Sequence, residues 1–149
     1  MSSIESFNEM MKQFIDELVM TFPDVKKFKT YQKSFILISG TKSKQAVTEY
    51  YESIKEYSDK IMKKDETFFT EDAPNIEFVN DLKIQDIWTD ELSSKTKNAI
   101  WQYLQTLFIL ASTIKAIPQE TLTVIENIAK SFNPADLGSL LESLGKNPL

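Results

Sequence analysis

The sequence predicts an all-α fold, a compact single-domain bundle of five to seven helices around a central apolar helix at about 94–116. Three observations predict it. Ile100, Tyr103, Leu104, Leu107, Phe108, Ala111 and Ile114 recur three and four residues apart, one face of a helix, and Trp101, Ile109 and Leu110 widen that face. No charged residue occurs from Asn98 to Thr113, while Lys95, Lys97 and Lys115 bracket the gap. Most of the other apolar residues repeat with the same period, in segments punctuated by proline or glycine.

A helix apolar most of the way round is buried among neighbours. A membrane span needs about 20 predominantly apolar residues. Asn98, Gln102, Gln105, Thr106, Ser112 and Thr113 interrupt the run, so no span is expected. Ser93 or Ser94 can cap the helix, since a hydroxyl accepts from the free N–H groups of the first turn. Pro118 ends it near Ile117.

In chain order, Ser2 and Glu5 have capping-box spacing. Ile4, Phe7, Met11, Phe14 and Leu18 then predict a helix over about 3–21. The strict spacing admits a short coiled-coil seam, but packing on the domain core is the favoured reading. Phe22-Pro23 breaks this helix, and Pro23 with Asp24 suits the first turn of a second. Val25, Phe28, Gln32, Phe35 and Ile36 continue it at helical spacing toward a stop at Gly40. The run 34–39 also reads as a short strand, but no partner strand is evident.

Thr41 or Ser43 can cap a third helix running to about Lys64, with Val47, Tyr50, Tyr51, Ile54, Tyr57, Ile61 and Met62 as its stripe. Residues 65–81 have no clear period and read as a loop whose aromatic side chains tuck back onto the body. Leu82, Ile84, Ile87 and Trp88 suggest a short helix before the central one. After Pro118, helices are expected through Leu122, Ile125, Ala129 and Phe132, and through Leu137, Leu140, Leu141 and Leu144. Residues 145–149 are expected to fray.

At 149 residues the chain reads as one domain over 1–149, able to bury about 70% of its unfolded surface. It has no cysteine, hence no disulfide or thiolate chemistry, and no histidine, the usual general base and metal ligand. No basic-then-apolar leader is seen at the start of the chain. All basic residues are lysine, which lacks the planar fork that reads guanine or carboxylate edges. The net charge of −5 disfavours nonspecific attachment to nucleic acid or anionic membrane.

Charge is segregated along the chain. Lys26, Lys27, Lys29, Lys33, Lys42 and Lys44 occur between Val25 and Thr48 without an acid. Nine acids lie between Asp65 and Glu91 against Lys83 alone. Three readings stay open: two solvated faces, contact between the acidic and basic segments within one chain or between chains, and phosphate contacts to nucleic acid through the lysine patch.

Motifs for chemistry are missing. There is no glycine-bearing calcium loop, no Gly-rich phosphate loop and no Gly-x-Ser-x-Gly elbow. No catalytic residue, metal ligand or cofactor is expected. A hydrolase would need two carboxylates converging in a pocket.

The pattern Ile87-Trp88, Leu92-Ser93, then Lys95-Thr96-Lys97-Asn98-Ala99-Ile100-Trp101-Gln102-Tyr103-Leu104-Gln105 resembles small helical proteins of nucleocytoplasmic large DNA viruses, the giant viruses. Those often carry lysine where Gln102 stands here. The similarity covers about residues 82–110. It implies viral origin and a helical fold, and it carries over no catalytic residue. The abundant Lys, Ile and Asn and the absence of Arg suit an AT-rich genome.

Together these readings predict a non-enzymatic protein–protein interaction or assembly protein, probed first at the large aromatics Phe68, Phe69, Trp88 and Trp101. Trp88 and Trp101 as simple core filling is an equal alternative. A nucleic-acid-associated protein using Lys26 to Lys44 is the second reading. The expected partner is a protein, itself or another, and the expected location is intracellular, in host cytoplasm or virion.

Overall fold

The computed structural model describes residues 2–116. Among these there are seven α-helices and no strand: α1 (Ser3–Thr21), α2 (Lys26–Thr41), α3 (Gln45–Ile54), α4 (Ser58–Lys63), α5 (Glu77–Leu82), α6 (Ile84–Ile87) and α7 (Ser94–Ala116). The helices expected after Pro118, and the tail 145–149, lie outside the described residues.

The chain starts with the capping box that Ser2 and Glu5 announce. The Ser2 hydroxyl accepts from the Glu5 N–H at 3.1 Å, and the Glu5 carboxylate accepts from the Ser2 N–H at 3.2 Å. The apolar stripe of α1 (Ile4, Phe7, Met11, Phe14, Leu18) is buried against α2 and α7. It is therefore spent within the chain, not on a coiled coil. Asp16 accepts from Gln32 across α1 and α2, and from Lys12 one turn away. Lys12 is the main reason the Asp16 carboxyl sits below its ordinary pKa; burial opposes it and Gln32 assists.

Helix α7 is the centre. Ile100, Trp101, Tyr103, Leu104, Leu107, Leu110, Ala111 and Ile114 are all buried, and α1, α3 and α4 pack against the helix. Ser93 is its cap, accepting from the Thr96 N–H at 3.1 Å. Two polar links fix neighbours to it. The buried Tyr50 hydroxyl donates to the Leu104 carbonyl at 2.7 Å. The buried Gln105 amide donates to the Ile61 carbonyl at 3.1 Å, which also accepts from the Lys64 N–H at the end of α4. No helix among the described residues is long and apolar enough to cross a membrane.

The structure differs from the sequence reading in five places, four of them before residue 65. Pro23 and Asp24 form a turn, and α2 begins only at Lys26. Gly40 does not stop α2, which continues to Thr41. The Thr41 hydroxyl donates back to the Leu37 carbonyl instead of capping α3. The third helix is broken at Lys55–Tyr57 by a 3₁₀ turn and ends at Lys64 in the left-handed region, φ 56°.

Residues 65–81 are not a loop. They form a π-helical turn (Phe68–Asp72), a 3₁₀ turn (Ala73–Asn75) and most of α5. Their period is masked because each turn winds differently. Phe68, Phe69, Ile76, Phe78 and Val79 are nonetheless buried, as the tucked-back reading expects.

Candidate interaction surface

Phe68, Phe69, Trp88 and Trp101 come together, but in the interior. Their exposures are 0%, 2%, 6% and 2%. Trp88 stacks on Phe69 with centroids 4.1 Å apart, and both rings meet Trp101, at 5.2 and 4.9 Å. Phe68 contacts Phe69 edge-on at 4.9 Å. A side chain with no accessible surface cannot anchor a partner, so the quartet is core. The π-helical turn explains this: it places Phe68 and Phe69, adjacent in sequence, both against α7. Lys97 lies over the Trp88 ring at 5.3 Å and pairs with Glu66, closing the edge of the cluster.

The accessible apolar surface lies elsewhere. Phe28 and Phe35, seven residues apart, fix the buried face of α2. Ile36 is one residue round from Phe35, about 100° of helix rotation, and Leu37 is further still. They are 54% and 70% exposed, so Ile36, though at helical spacing with Phe28, does not share its buried face. A signal was present: the run Phe35-Ile36-Leu37-Ile38 is wider than one helix face can bury.

Lys29 and Lys33 share this outer face at helical spacing, two turns and one turn respectively before Ile36 and Leu37. Lys26, Lys27, Lys42 and Lys44 are exposed around its two ends. None of the six lysines takes part in an ion pair among the described residues, where the pairs are Lys12–Asp16, Lys55–Glu52, Lys60–Asp72 and Lys97–Glu66. The lysine patch predicted from the sequence is thus continuous with an apolar patch that it did not predict. Lysine stems add further apolar area beside Ile36 and Leu37 while keeping the ammonium groups in water.

On the flank of α2 facing α3 and α5, a cleft of about 310 Å³ is lined by Lys27, Tyr31, Phe35, Ile38, Glu49 and Asp81, among others. Burial raises the Tyr31 phenol well above its ordinary pKa, and the charges of Asp81, Glu49 and Glu77 add to the effect. Glu49 and Asp81 are two carboxylates that share this cleft, as a hydrolase would require, but both are exposed to water. No group of three or more acidic residues able to hold a metal ion occurs among the described residues.

The comparisons add no relative: no protein family, no curated protein and no solved structure matches the chain.

Proposed function

We propose that this is a non-enzymatic protein–protein interaction or assembly protein of viral origin, acting inside the host cell or in the virion, and that its contact surface is the outer face of α2. One observation carries the surface: Ile36 and Leu37, two of the largest exposed apolar side chains, sit beside lysines that form no ion pair among the described residues. Apolar residues exposed together and rimmed by charge are the usual make-up of a protein contact site. Viral origin rests on the resemblance around Lys95 to Gln105.

The test compares the wild-type chain with Leu37→Glu as bait in producing cells, with thermal melting alongside. The expected result is an unchanged melt and loss of a polypeptide that the wild type retains. Equal retention by both baits overturns the assignment of this face.

A second reading is favoured by the same unpaired lysines. They suit a polyanion, and a nucleic acid would bind with strong salt dependence. Mobility shift at low salt decides it: no shift ends that reading, and a shift abolished by Lys29→Gln/Lys33→Gln supports it.

A further inference from the structure

The acids between residues 65 and 91 sort into two groups. Asp72 and Glu66 are paired with Lys60 and Lys97. Asp65, Glu71, Glu77, Asp81, Asp86, Asp90 and Glu91 are exposed and form no ion pair among the described residues. Six lysines on and around α2 and seven carboxylates of residues 65–91 are therefore outside any ion pair among the described residues.

Asp90 and Glu91 are the best placed of these. They are the central residues of a tight turn closed by the Leu92 N–H donating to the Thr89 carbonyl at 3.1 Å. The turn follows Trp88, which is clamped between Phe69, Trp101 and Lys97, and half-buried Ile87 and Leu92 lie at its base. This is a rigidly based acidic knob with apolar surface under it. Trp88 anchors the turn on α7, whereas α2 packs on α1, α3 and α5. No ion pair joins the turn to the lysine face within one molecule.

We propose that a second copy of this chain supplies the occupant of the α2 face: the Thr89–Leu92 turn of one molecule docks head-to-tail on Lys29, Lys33, Ile36 and Leu37 of the next. The inference rests on the α2 face being a contact surface and adds the identity of what covers it. A head-to-tail contact joins two different patches, so each molecule of a pair keeps its other patch free and the assembly extends or closes as a ring. Local charge pairing must overcome repulsion between copies of net charge −5. At about 50 mM salt the screening length already shortens that long-range repulsion and leaves close pairs, while about 500 mM weakens the pairs as well.

Light scattering on size-exclusion fractions tests it with two charge-neutralised variants. Lys29→Gln/Lys33→Gln removes the basic patch, and Asp90→Asn/Glu91→Gln removes the knob. The wild-type chain is expected to form species larger than dimer at about 50 mM salt, falling toward the mass of one chain at about 500 mM. Each variant alone is expected to run as one chain. An equimolar mixture is expected to form a one-to-one dimer and nothing larger, because only one productive pair of patches remains. All of these substitutions are at exposed positions, so each variant should keep the wild-type circular dichroism and melt.

A wild-type chain that stays monomeric at low salt overturns the proposal, and so does a mixture that stays monomeric. Association unaffected by the knob variant overturns it too. Binding of an oligonucleotide that needs the lysines but not Asp90 and Glu91, with the chain monomeric, assigns the face to nucleic acid instead. If the chain is monomeric yet Leu37→Glu still loses a different polypeptide, self-assembly fails while the contact-surface reading stands.

Discussion

The hydroxyl of Tyr50 on α3 donates a 2.7 Å hydrogen bond to the backbone carbonyl of Leu104, in the middle of α7 and fifty-four residues along the chain. Both residues are buried, and the Tyr50 ring packs edge-on to Phe7 and Phe78. The bond sets where α3 lies along α7. Tyr50→Phe keeps the ring contacts and removes only the donor. It should cost about 0.5–1.5 kcal/mol in a denaturant titration.

The aromatic quartet makes a sharper prediction because its members differ. Trp101→Ala empties the middle of the cluster and should cost about 3–5 kcal/mol, enough to unfold a marginal domain. Trp88→Phe should cost much less, below about 1.5 kcal/mol. It keeps a ring against Phe69 and removes an indole N–H that is buried without a hydrogen-bond partner among the described residues. Chemical denaturation of the two variants gives the order, and an equal cost would contradict the roles assigned here.

Two backbone positions carry the less suitable residue, in opposite senses. Gly40 lies inside α2, and a Cβ built there meets nothing within 4 Å. Gly40→Ala should stabilise by about 0.5–1 kcal/mol, since glycine loses the most freedom on entering a helix. Lys64 closes α4 at φ 56°, a conformation that glycine adopts without penalty. Lys64→Gly should also stabilise, by up to about 1 kcal/mol. Thermal melts of both variants check the signs.

Alkaline pH should unfold the protein through its buried phenols. Burial raises Tyr50 well above its ordinary value of 10.0, and it is the largest cause of the increase at Tyr31 and Tyr103 as well. For Tyr103, a hydrogen bond to Glu17 adds to the effect. Each raised phenol keeps its proton in the folded chain after the unfolded chain has lost it. Its contribution is thus complete below pH 10 and is lost as pH rises toward the folded-state values. Stability measured against pH should be flat with respect to these groups below 10 and fall above it, and the fall should be shallower in Tyr50→Phe. On the acid side the sign reverses for Asp16, whose lowered carboxyl contributes above its ordinary 3.8 and is lost as pH falls.

How far the sequence reached depended on which force set each element. The stripes of α1 and α7 were legible because both helices are long, bury a continuous face and carry their own caps in Ser2 and Ser93. Residues 65–81 were not, because π and 3₁₀ turns shift the inward direction every few residues. The lysine patch was visible as composition. Its apolar companion was hidden because Ile36 looks like a continuation of the Phe28–Phe35 stripe until the neighbours of α2 are known. The aromatic quartet shows the converse: large rings attract attention as anchors, but core and interface draw on the same residue types.

Site-specific photocrosslinking from position 37 tests the central claim most directly, that the outer face of α2 is where this protein meets another polypeptide. A photoreactive phenylalanine in place of exposed Leu37 should give a discrete adduct under native conditions, whereas the same group at exposed Glu52, on α3, should not. No adduct from position 37, or the same adducts from both positions, would contradict the account.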